Sequence, residues 1–149
     1  MKRSPIALII ALVFFVGWMI LLGREALRHR NPVVVSRAQL LAAQYDVLAE
    51  VSPAAGNLPE PNVQVQCVLF GGEGAPAPGQ TVTVRNLPRT QGFAGKGTYV
   101  LPLVKEGSEF LVADLPFDPG FPPFRSLPPR IYPSTPEVQR QFQSIRQAH

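Results

Sequence analysis

The longest apolar segment of the chain is residues 6–22, where every position holds an apolar residue or glycine. As a helix, this segment would extend about 25 Å, close to the ~30 Å hydrocarbon core of a bilayer. The pattern therefore predicts a single-pass transmembrane helix with Ile6 and Leu22 at its ends and Phe14 and Trp18 within it. Membrane lipid is accordingly the first predicted partner.

A cleaved secretory signal is the alternative interpretation, because Lys2 and Arg3 precede the apolar segment. However, the segment is longer than the roughly 7 to 15 apolar residues of a typical signal peptide. In addition, no small-x-small cleavage pattern follows it, since Gly23 leads directly into Arg24 and Glu25. We therefore predict that the segment is retained as an anchor.

Basic residues flank the predicted anchor on both sides, so its orientation stays open at this point. Lys2 and Arg3 lie before it, and Arg24, Arg28 and Arg30 lie after it. The positive-inside count slightly favours a cytoplasmic domain. A short basic tail before an uncleaved apolar segment is also typical of a signal-anchor, which places the following domain outside.

Five shorter runs with strand character follow, separated by stretches rich in turn residues. In the second run Val63, Val65, Cys67 and Leu69 alternate with other residues, which predicts that these four share the buried face. The content of 17 prolines and 12 glycines argues against long helices. We predict an antiparallel five-stranded meander that closes into a barrel, because closure removes exposed strand edges. The five runs are residues 45–51, 63–70, 80–87, 98–104 and 109–115.

A short helix is predicted before the first strand. Ser36 can cap its start, and the side chain of Gln39, three residues later, can hydrogen-bond to the Ser36 backbone amide as in a capping box. Leu40 and Leu41 supply apolar contacts. The element is expected to be one or two turns long.

The chain changes character after residue 115. Residues 116–136 contain eight prolines, which interrupt strands and helices. Large apolar residues are interleaved with these prolines, so we predict that the segment packs on the barrel.

A short C-terminal helix is predicted after this segment. Ser134 and Glu137 form a second capping box, and Val138, Phe142 and Ile145 form an apolar stripe at helical spacing. The predicted divisions are therefore an anchor with a basic flank (1–30), a β-barrel (31–115), and an extension with a helix packed on the barrel (116–149).

The net charge of +4 is confined to the first thirty residues, which hold five basic residues and one acidic residue. The rest of the chain is formally neutral. A basic surface for nucleic acid is therefore not expected, and the basic residues are better placed to contact lipid headgroups.

The sequence lacks the residues for common catalytic and metal sites. Cys67 is the one cysteine, and the histidines are His29 and His149. These residues do not suffice for a Cys/His metal site or a Ser-His-Asp triad. We expect no enzyme activity, no cofactor and no metal. Four carboxylates around the predicted last hairpin are expected to be solvated: Glu106, Glu109, Asp114 and Asp118.

Four segments within residues 33–115 carry a resemblance to a known family: SRAQLLAAQYDVLAEV, VQVQCVLFGG, GQTVTVRNL and GTYVLPLVKEGSEFLVA. Together they resemble the small OB-like, metalloprotease-inhibitor-like β-barrels of bacterial secreted and single-span proteins. The resemblance implies a five-stranded barrel and an extracytoplasmic address, and it transfers no active-site residue. Together with the signal-anchor pattern, it leads us to predict that the domain after the anchor lies outside the cytoplasm. The predicted fold is therefore mainly β, with an N-terminal transmembrane helix, a short helix, an OB-like barrel and a short C-terminal helix.

Two functions are compatible with these features. The first is a structural or protein-interaction module of the bacterial envelope, which would meet an envelope protein through the proline- and phenylalanine-rich segment or the terminal helix. The alternative is a barrel that binds a small ligand or a peptide through the loop that holds Arg89 and Phe93, since an arginine beside an aromatic suits an anionic or peptide partner. The candidate contact residues are Asn86, Arg89, Phe93, Phe121, Phe124 and Tyr132.

Overall fold

The structure is a computed structural model that describes residues 5–28, 33–115 and 127–148. The chain forms two compact units, Met1–Val33 and Val34–His149, each of which is described by itself. The boundary lies three residues beyond the one predicted from the sequence.

The first unit contains helix α1, Pro5–Arg28, which includes the whole predicted anchor. Ten large apolar side chains between Leu12 and Leu22 are 48% to 77% exposed. The helical conformation of residues 6–22 is confirmed. Within the described ranges, none of the helices has the length and apolar character that crossing a membrane requires. The structure thus confirms the helix and gives no support to its transmembrane role.

The second unit is mainly β, with two short helices. Helix α2 precedes the first strand and helix α3 follows the last, and short 3-10 turns lie at Ala55–Asn57 and Leu87–Arg89. The helices are α2 (Arg37–Ala42) and α3 (Pro136–Gln147), and the strands are β1 (Tyr45–Val51), β2 (Asn62–Phe70), β3 (Thr81–Thr83), β4 (Gly97–Glu106), β5 (Glu109–Val112) and β6 (Tyr132–Pro133).

Five strands form a nearly closed antiparallel barrel in the order β3-β2-β1-β4-β5. The ends of the sheet meet where Val84 forms a parallel bridge with Phe110 and the Arg85 amide donates to the Phe110 carbonyl at 3.0 Å. The two-residue strand β6 pairs with β4 at Tyr99 and Val100. The predicted five-stranded barrel is confirmed at this level.

The interior is filled by side chains that alternate along the strands. On β1 the inward residues are Tyr45, Val47, Ala49 and Val51, as the sequence pattern predicts. Tyr45 packs edge-to-face on the Phe110 ring, with 6.1 Å between centroids. Burial of such apolar side chains contributes about 1.5 to 3 kcal/mol each, so this core is the main source of stability.

Strand β2 departs from the predicted alternation because of two irregularities in its pairing with β1. Leu48 pairs with Cys67 and Ala49 pairs with Val65, so the register shifts by one residue between them. A bulge of this kind changes which residues face inward. Val63 and Val65 are fully buried as predicted, but Val68, rather than Leu69, then packs on the core. The prediction that Cys67 and Leu69 are buried is therefore wrong.

Two other strands are shorter than predicted. Strand β3 ends at Thr83, because Val84 turns to the closing bridge and the 3-10 turn at Leu87–Arg89 follows. Strand β5 ends at Val112, beyond which the Ala113 amide donates to the Pro102 carbonyl.

Both helix caps differ from the predicted capping boxes. The Ser36 hydroxyl accepts from the Gln39 backbone amide as expected, but the Gln39 side chain does not bond to the Ser36 backbone amide. It donates instead to the carbonyls of Ala113 and Arg130, at 2.8 and 2.9 Å. Helix α3 is capped by Thr135 rather than Ser134, and its stripe residues Val138 and Phe142 are buried as predicted.

The described end of the proline-rich segment lies on the barrel. Arg130 forms a parallel bridge with Gln91, and the Ile131 amide donates to the Gln91 carbonyl at 2.9 Å. Ile131 is part of the barrel core, and Tyr132 is fully buried. Residues 116–126 lie outside the described residues.

Candidate binding cleft

Asp46 is the buried charged residue around which the candidate site is built. It lies on β1 between Tyr45 and Val47, so its side chain points away from the barrel interior. A carboxylate at this position would ordinarily be solvated. Here it is fully buried, because Arg146 of α3 pairs with it from outside the barrel.

Arg146 holds this carboxylate through a close ion pair. Its Nε donates to Asp46 Oδ2 at 2.7 Å, and its Nη2 donates to the Leu40 carbonyl at 2.8 Å, near the end of α2. The guanidinium carbon lies 3.7 Å from the centre of the Phe70 ring, a cation–π contact. One arginine thus joins α3 to β1, α2 and β2.

The second carboxylate oxygen of Asp46 is not paired. Oδ1 is buried and accepts no hydrogen bond from the described protein residues. Burial raises the pKa of the Asp46 carboxyl above its ordinary value of 3.8, and the hydrogen bond and charge of Arg146 oppose that rise. A buried acceptor without a donor costs about 1 to 3 kcal/mol.

A cleft of about 230 Å³ lies beside this ion pair. Apolar side chains and the polar residues of one α3 face form its walls. The lining residues are Asp46, Leu69, Phe70, Gln139, Phe142, Gln143, Arg146 and Gln147.

The irregular register of β2 places the apolar side of the cleft. Asp46 pairs with Phe70 while Val47 pairs with Val68, so Leu69 is an additional residue between two paired positions. Leu69 and Phe70 are consequently exposed at 41% and 43% instead of entering the core. The strand end therefore presents two large apolar side chains next to the ion pair.

The loop residues predicted to contact a ligand do not act together. The Asn86 side chain hydrogen-bonds to the backbone of β5 as a neighbouring strand would. Its Nδ2 donates to the Val112 carbonyl at 2.9 Å, and its Oδ1 accepts from the Val112 backbone amide at 2.7 Å. Phe93 packs on Tyr99, with 5.7 Å between ring centroids. Arg89 is exposed. Phe93 does line a hollow of about 300 Å³, together with Pro53, Asn57, Ala94 and Gly95.

Tyr132, another predicted contact residue, lies in the interior and not on a binding surface. Its hydroxyl donates to Gln39 Oε1 at 2.7 Å and accepts from the Ser36 amide at 3.1 Å. Burial raises the pKa of this phenol. The role of Tyr132 in the structure is to join α2 to β6. Phe121 and Phe124 lie outside the described residues.

The predicted anchor residues lie in α1. Phe14, Trp18 and Leu22 are exposed there, and Ile6 lies in the first turns of the same helix.

Three of the four carboxylates predicted around the last hairpin are exposed, namely Glu106, Glu109 and Asp114, and Asp118 lies outside the described residues. Glu106 and Glu109 lie 3.1 and 3.6 Å from Arg85, and all three side chains are exposed. In the ranges that the structure covers, no three His, Cys, Asp or Glu side chains form a group that would hold a metal ion.

Sequence reasoning missed the Asp46 cleft, because its two charged residues are 100 positions apart. Two weak signals were present. Asp46 is an acidic residue inside a strongly apolar strand, and Arg146 lies four residues after Phe142, on the side of the helix that carries the apolar stripe. A charge next to an apolar stripe is a candidate for a buried pair.

The geometry of the cleft suits recognition: a cation stacked on an aromatic ring lies beside apolar walls in one concave surface. The family resemblance inferred from sequence patterns stays a prediction. No family model matches the chain, and neither a curated protein nor a solved structure matches it.

Proposed function

We propose that this protein is a membrane-tethered binding module of the bacterial envelope. In this proposal α1 inserts into the membrane, and the β-barrel captures a partner or ligand in the Asp46 cleft. The proposal assigns no catalytic step to the cleft.

The observation that carries the proposal is the cleft itself, where the Asp46–Arg146 ion pair adjoins the exposed apolar side chains of Leu69 and Phe70. Because Arg146 donates to both the Asp46 carboxylate and the Leu40 carbonyl, its guanidinium is fixed in place at the cleft. Recognition sites typically combine a few fixed polar groups with apolar walls, and Leu69, Phe70 and Phe142 supply such walls here.

The tether is supported by the sequence of residues 6–22 and by the exposure of the described side chains of α1. A continuous apolar surface of this kind marks a protein–protein or membrane interaction site. We place the barrel outside the cytoplasm, since Lys2 and Arg3 precede an uncleaved apolar segment as in a signal-anchor.

Insertion is tested by placing charges in the helix. Phe15→Glu combined with Met19→Glu should shift the full-length chain from the carbonate-resistant membrane fraction to the extract, because charged side chains in the bilayer centre cost about 2.5 to 3.5 kcal/mol each. Arg24→Glu, beyond the apolar segment, is the control and should stay in the membrane fraction. Equal extraction of all forms would contradict the tether.

Binding in the cleft is tested by photo-crosslinking in intact membranes. A diazirine analogue of leucine replaces Leu69, which lines the cleft, or Leu58, which is exposed in the loop between β1 and β2 and does not line it. Intact-mass analysis should find an adduct at Leu69 of a defined mass that is absent at Leu58. The same adducts at both positions, or none at Leu69, would overturn the assignment of the cleft as the binding site.

The hollow beside Phe93 is the second candidate binding site. This hollow supports the alternative that the sequence suggested, in which a ligand binds at the loop that holds Phe93. Arg89 of the same loop is not among the residues that line it. Its described lining carries no charged side chain, whereas the Asp46 cleft combines a buried ion pair with aromatic rings. An adduct from a diazirine placed at Ala94, but none from Leu69, would move the site to this hollow.

A further inference from the structure

We propose that the open edge of β2, residues 66–70, binds an extended peptide segment of a partner protein as an added strand, with one apolar side chain of the peptide in the Asp46 cleft. This inference rests on the proposed binding function and names the partner chemistry of the same site. It follows from the backbone groups of the edge, the uncharged residues along it and the walls of the cleft.

Strand β2 is paired on both sides only along its first part. On one side it pairs with β1 up to Phe70, its last residue. On the other side its pairing with β3 ends at Gln64, and Val65 makes the last hydrogen bonds, with the loop that precedes β3. Among the described residues, no backbone group bonds to this side of residues 66–70. An edge of five residues, about 16 Å long, is therefore open.

The open edge calls for a main chain as its partner. A strand edge presents a row of backbone N–H and C=O groups, and an extended peptide supplies the matching row. Natural sheets commonly block such an edge with charged side chains or proline, and residues 66–70, Gln-Cys-Val-Leu-Phe, contain neither. Leu69 and Phe70 are also exposed beside it. The edge thus fits an uncharged peptide in the extended conformation.

The irregular shape of the edge favours a peptide over a second copy of this chain. Gln66 and Leu69 are each an additional residue in the pairing of β2 with β1. Bulges of this kind bend a strand and hinder regular pairing between two sheet edges. A second barrel would bring the same two bulges on a rigid sheet. A flexible peptide can instead adjust its backbone dihedral angles to one irregular edge.

The cleft supplies the contact for one side chain of the peptide. Leu69 and Phe70 belong both to the open edge and to the cleft lining. Residues opposite each other on paired strands have Cβ atoms about 4.5 to 5.5 Å apart, so a peptide residue opposite Phe70 would lie at the cleft.

The charge and size of the cleft favour an apolar side chain. Its exposed polar residues, Gln143 and Gln147, are neutral, and the buried Asp46 carboxylate balances the charge of its arginine partner. The cleft volume is about 230 Å³, below the roughly 300 to 1,000 Å³ of sites for drug-sized ligands. It therefore suits one large apolar side chain.

The probe is a random heptapeptide library displayed on phage and selected against the full-length chain in a mild non-ionic detergent. Selected peptides should share one large apolar residue. The tightest binder is then synthesised with N-methyl groups on one alternating set of backbone amides or on the other. Only one set faces β2, so one form should lose at least about tenfold in affinity and the other should bind like the parent. Similar losses in both forms, or a library without a binder, would overturn the proposal.

Hydrogen exchange and two pairs of variants locate the bound peptide. It should slow amide exchange in residues 66–70 and leave exchange in β3 unchanged. Leu69→Lys places a charge on the edge and should weaken binding at least about tenfold, whereas Leu58→Lys, in the loop between β1 and β2, should not. Gln143→Trp fills the cleft and should remove the preference for a large apolar residue, whereas Ser144→Trp, which does not line the cleft, should keep it. Equal effects within each pair would place the peptide elsewhere and refute the assignment.

Two results would overturn this inference in different ways. A specific crosslink from Leu69 in membranes, together with equal sensitivity to the two N-methyl forms, would exclude strand addition while leaving the cleft as the binding site. Dimers of the peptide-free, full-length chain that Leu69→Lys dissociates, followed by analytical ultracentrifugation, would assign the edge to a second copy instead of a peptide.

Discussion

Removal of the cation from the Asp46–Arg146 pair should produce a large loss of stability. Arg146→Met keeps a long apolar side chain, but it removes the hydrogen bonds to Asp46 and to the Leu40 carbonyl. Because Asp46 is fully buried, the uncompensated carboxylate dominates the change. Breaking a buried pair in this way costs about 3 to 5 kcal/mol, which is the fall in the free energy of unfolding that we expect at pH 7.5.

The loss should be smaller in mild acid, and its sign follows from the pKa of Asp46. Burial raises that pKa in the folded protein above the 3.8 expected for the unfolded chain. The stability gained from protonation is therefore fully present below pH 3.8 and is lost as the pH rises through the folded-state pKa. Arg146 lowers the pKa of Asp46, so removing Arg146 raises that pKa further and extends to higher pH the range in which protonation of Asp46 stabilises the fold. We therefore expect the loss of stability caused by Arg146→Met to be smaller at pH 5 than at pH 7.5.

The measurement is urea unfolding of the full-length chain in a mild non-ionic detergent, at pH 7.5 and pH 5. Near-ultraviolet circular dichroism reports on the second unit, because Tyr45, Tyr99 and Tyr132 are all buried there. Arg140→Met is the matched control on the same helix, since the Arg140 side chain is exposed and its Nε donates within the helix to the Pro136 carbonyl. A loss below about 1 kcal/mol for Arg146→Met, or the same loss at both pH values, would refute the reasoning.

Two further substitutions test the packing around the cleft. Gln39→Leu should cost about 3 kcal/mol, because it leaves two backbone carbonyls without their donor and the Tyr132 hydroxyl without its acceptor; thermal unfolding that matches wild type would show that these bonds contribute little. Gly92→Ala should cost about 2 kcal/mol, since Gly92 has a φ of 96° and a Cβ there would lie 2.2 Å from the Ile131 carbonyl oxygen. Gly72→Ala, which meets no atom within 4 Å, is the control and should unfold near the wild-type temperature.

The strands of the barrel were predictable because their local pattern and their final environment agree. Strand β1 has the predicted bounds, since Tyr45, Val47, Ala49 and Val51 alternate and all enter the core. Strand β4 is longer than its predicted run by one residue at its start and two at its end. Period-two alternation is a direct consequence of strand geometry. A half-buried strand can therefore be recognised from its own sequence, without knowledge of the strands beside it.

The positions that were mispredicted depend on partners far away in the chain. The alternation of β2 fails after Val65 because a bulge against β1 changes the facing of Val68, and bulges depend on both strands. Gln39 has the spacing of a capping residue, but its side-chain amide donates instead to the backbone carbonyls of Ala113 and Arg130, which come much later in the chain. The cleft itself requires α3 to lie against β1, and no local pattern encodes that contact.

The same long separation between Asp46 and Arg146 has a consequence for biosynthesis. At about 5 to 20 residues per second, a ribosome needs roughly 5 to 20 s to add the residues between them. During that interval β1 already exists, while its carboxylate has no cation within reach. In a chain interrupted before α3, the Asp46 carboxylate would have to stay hydrated or protonated. Strand β1 would then be held less stably in the sheet. Docking of α3, the last described helix, is therefore the step at which the Asp46 carboxylate obtains its ion-pair partner.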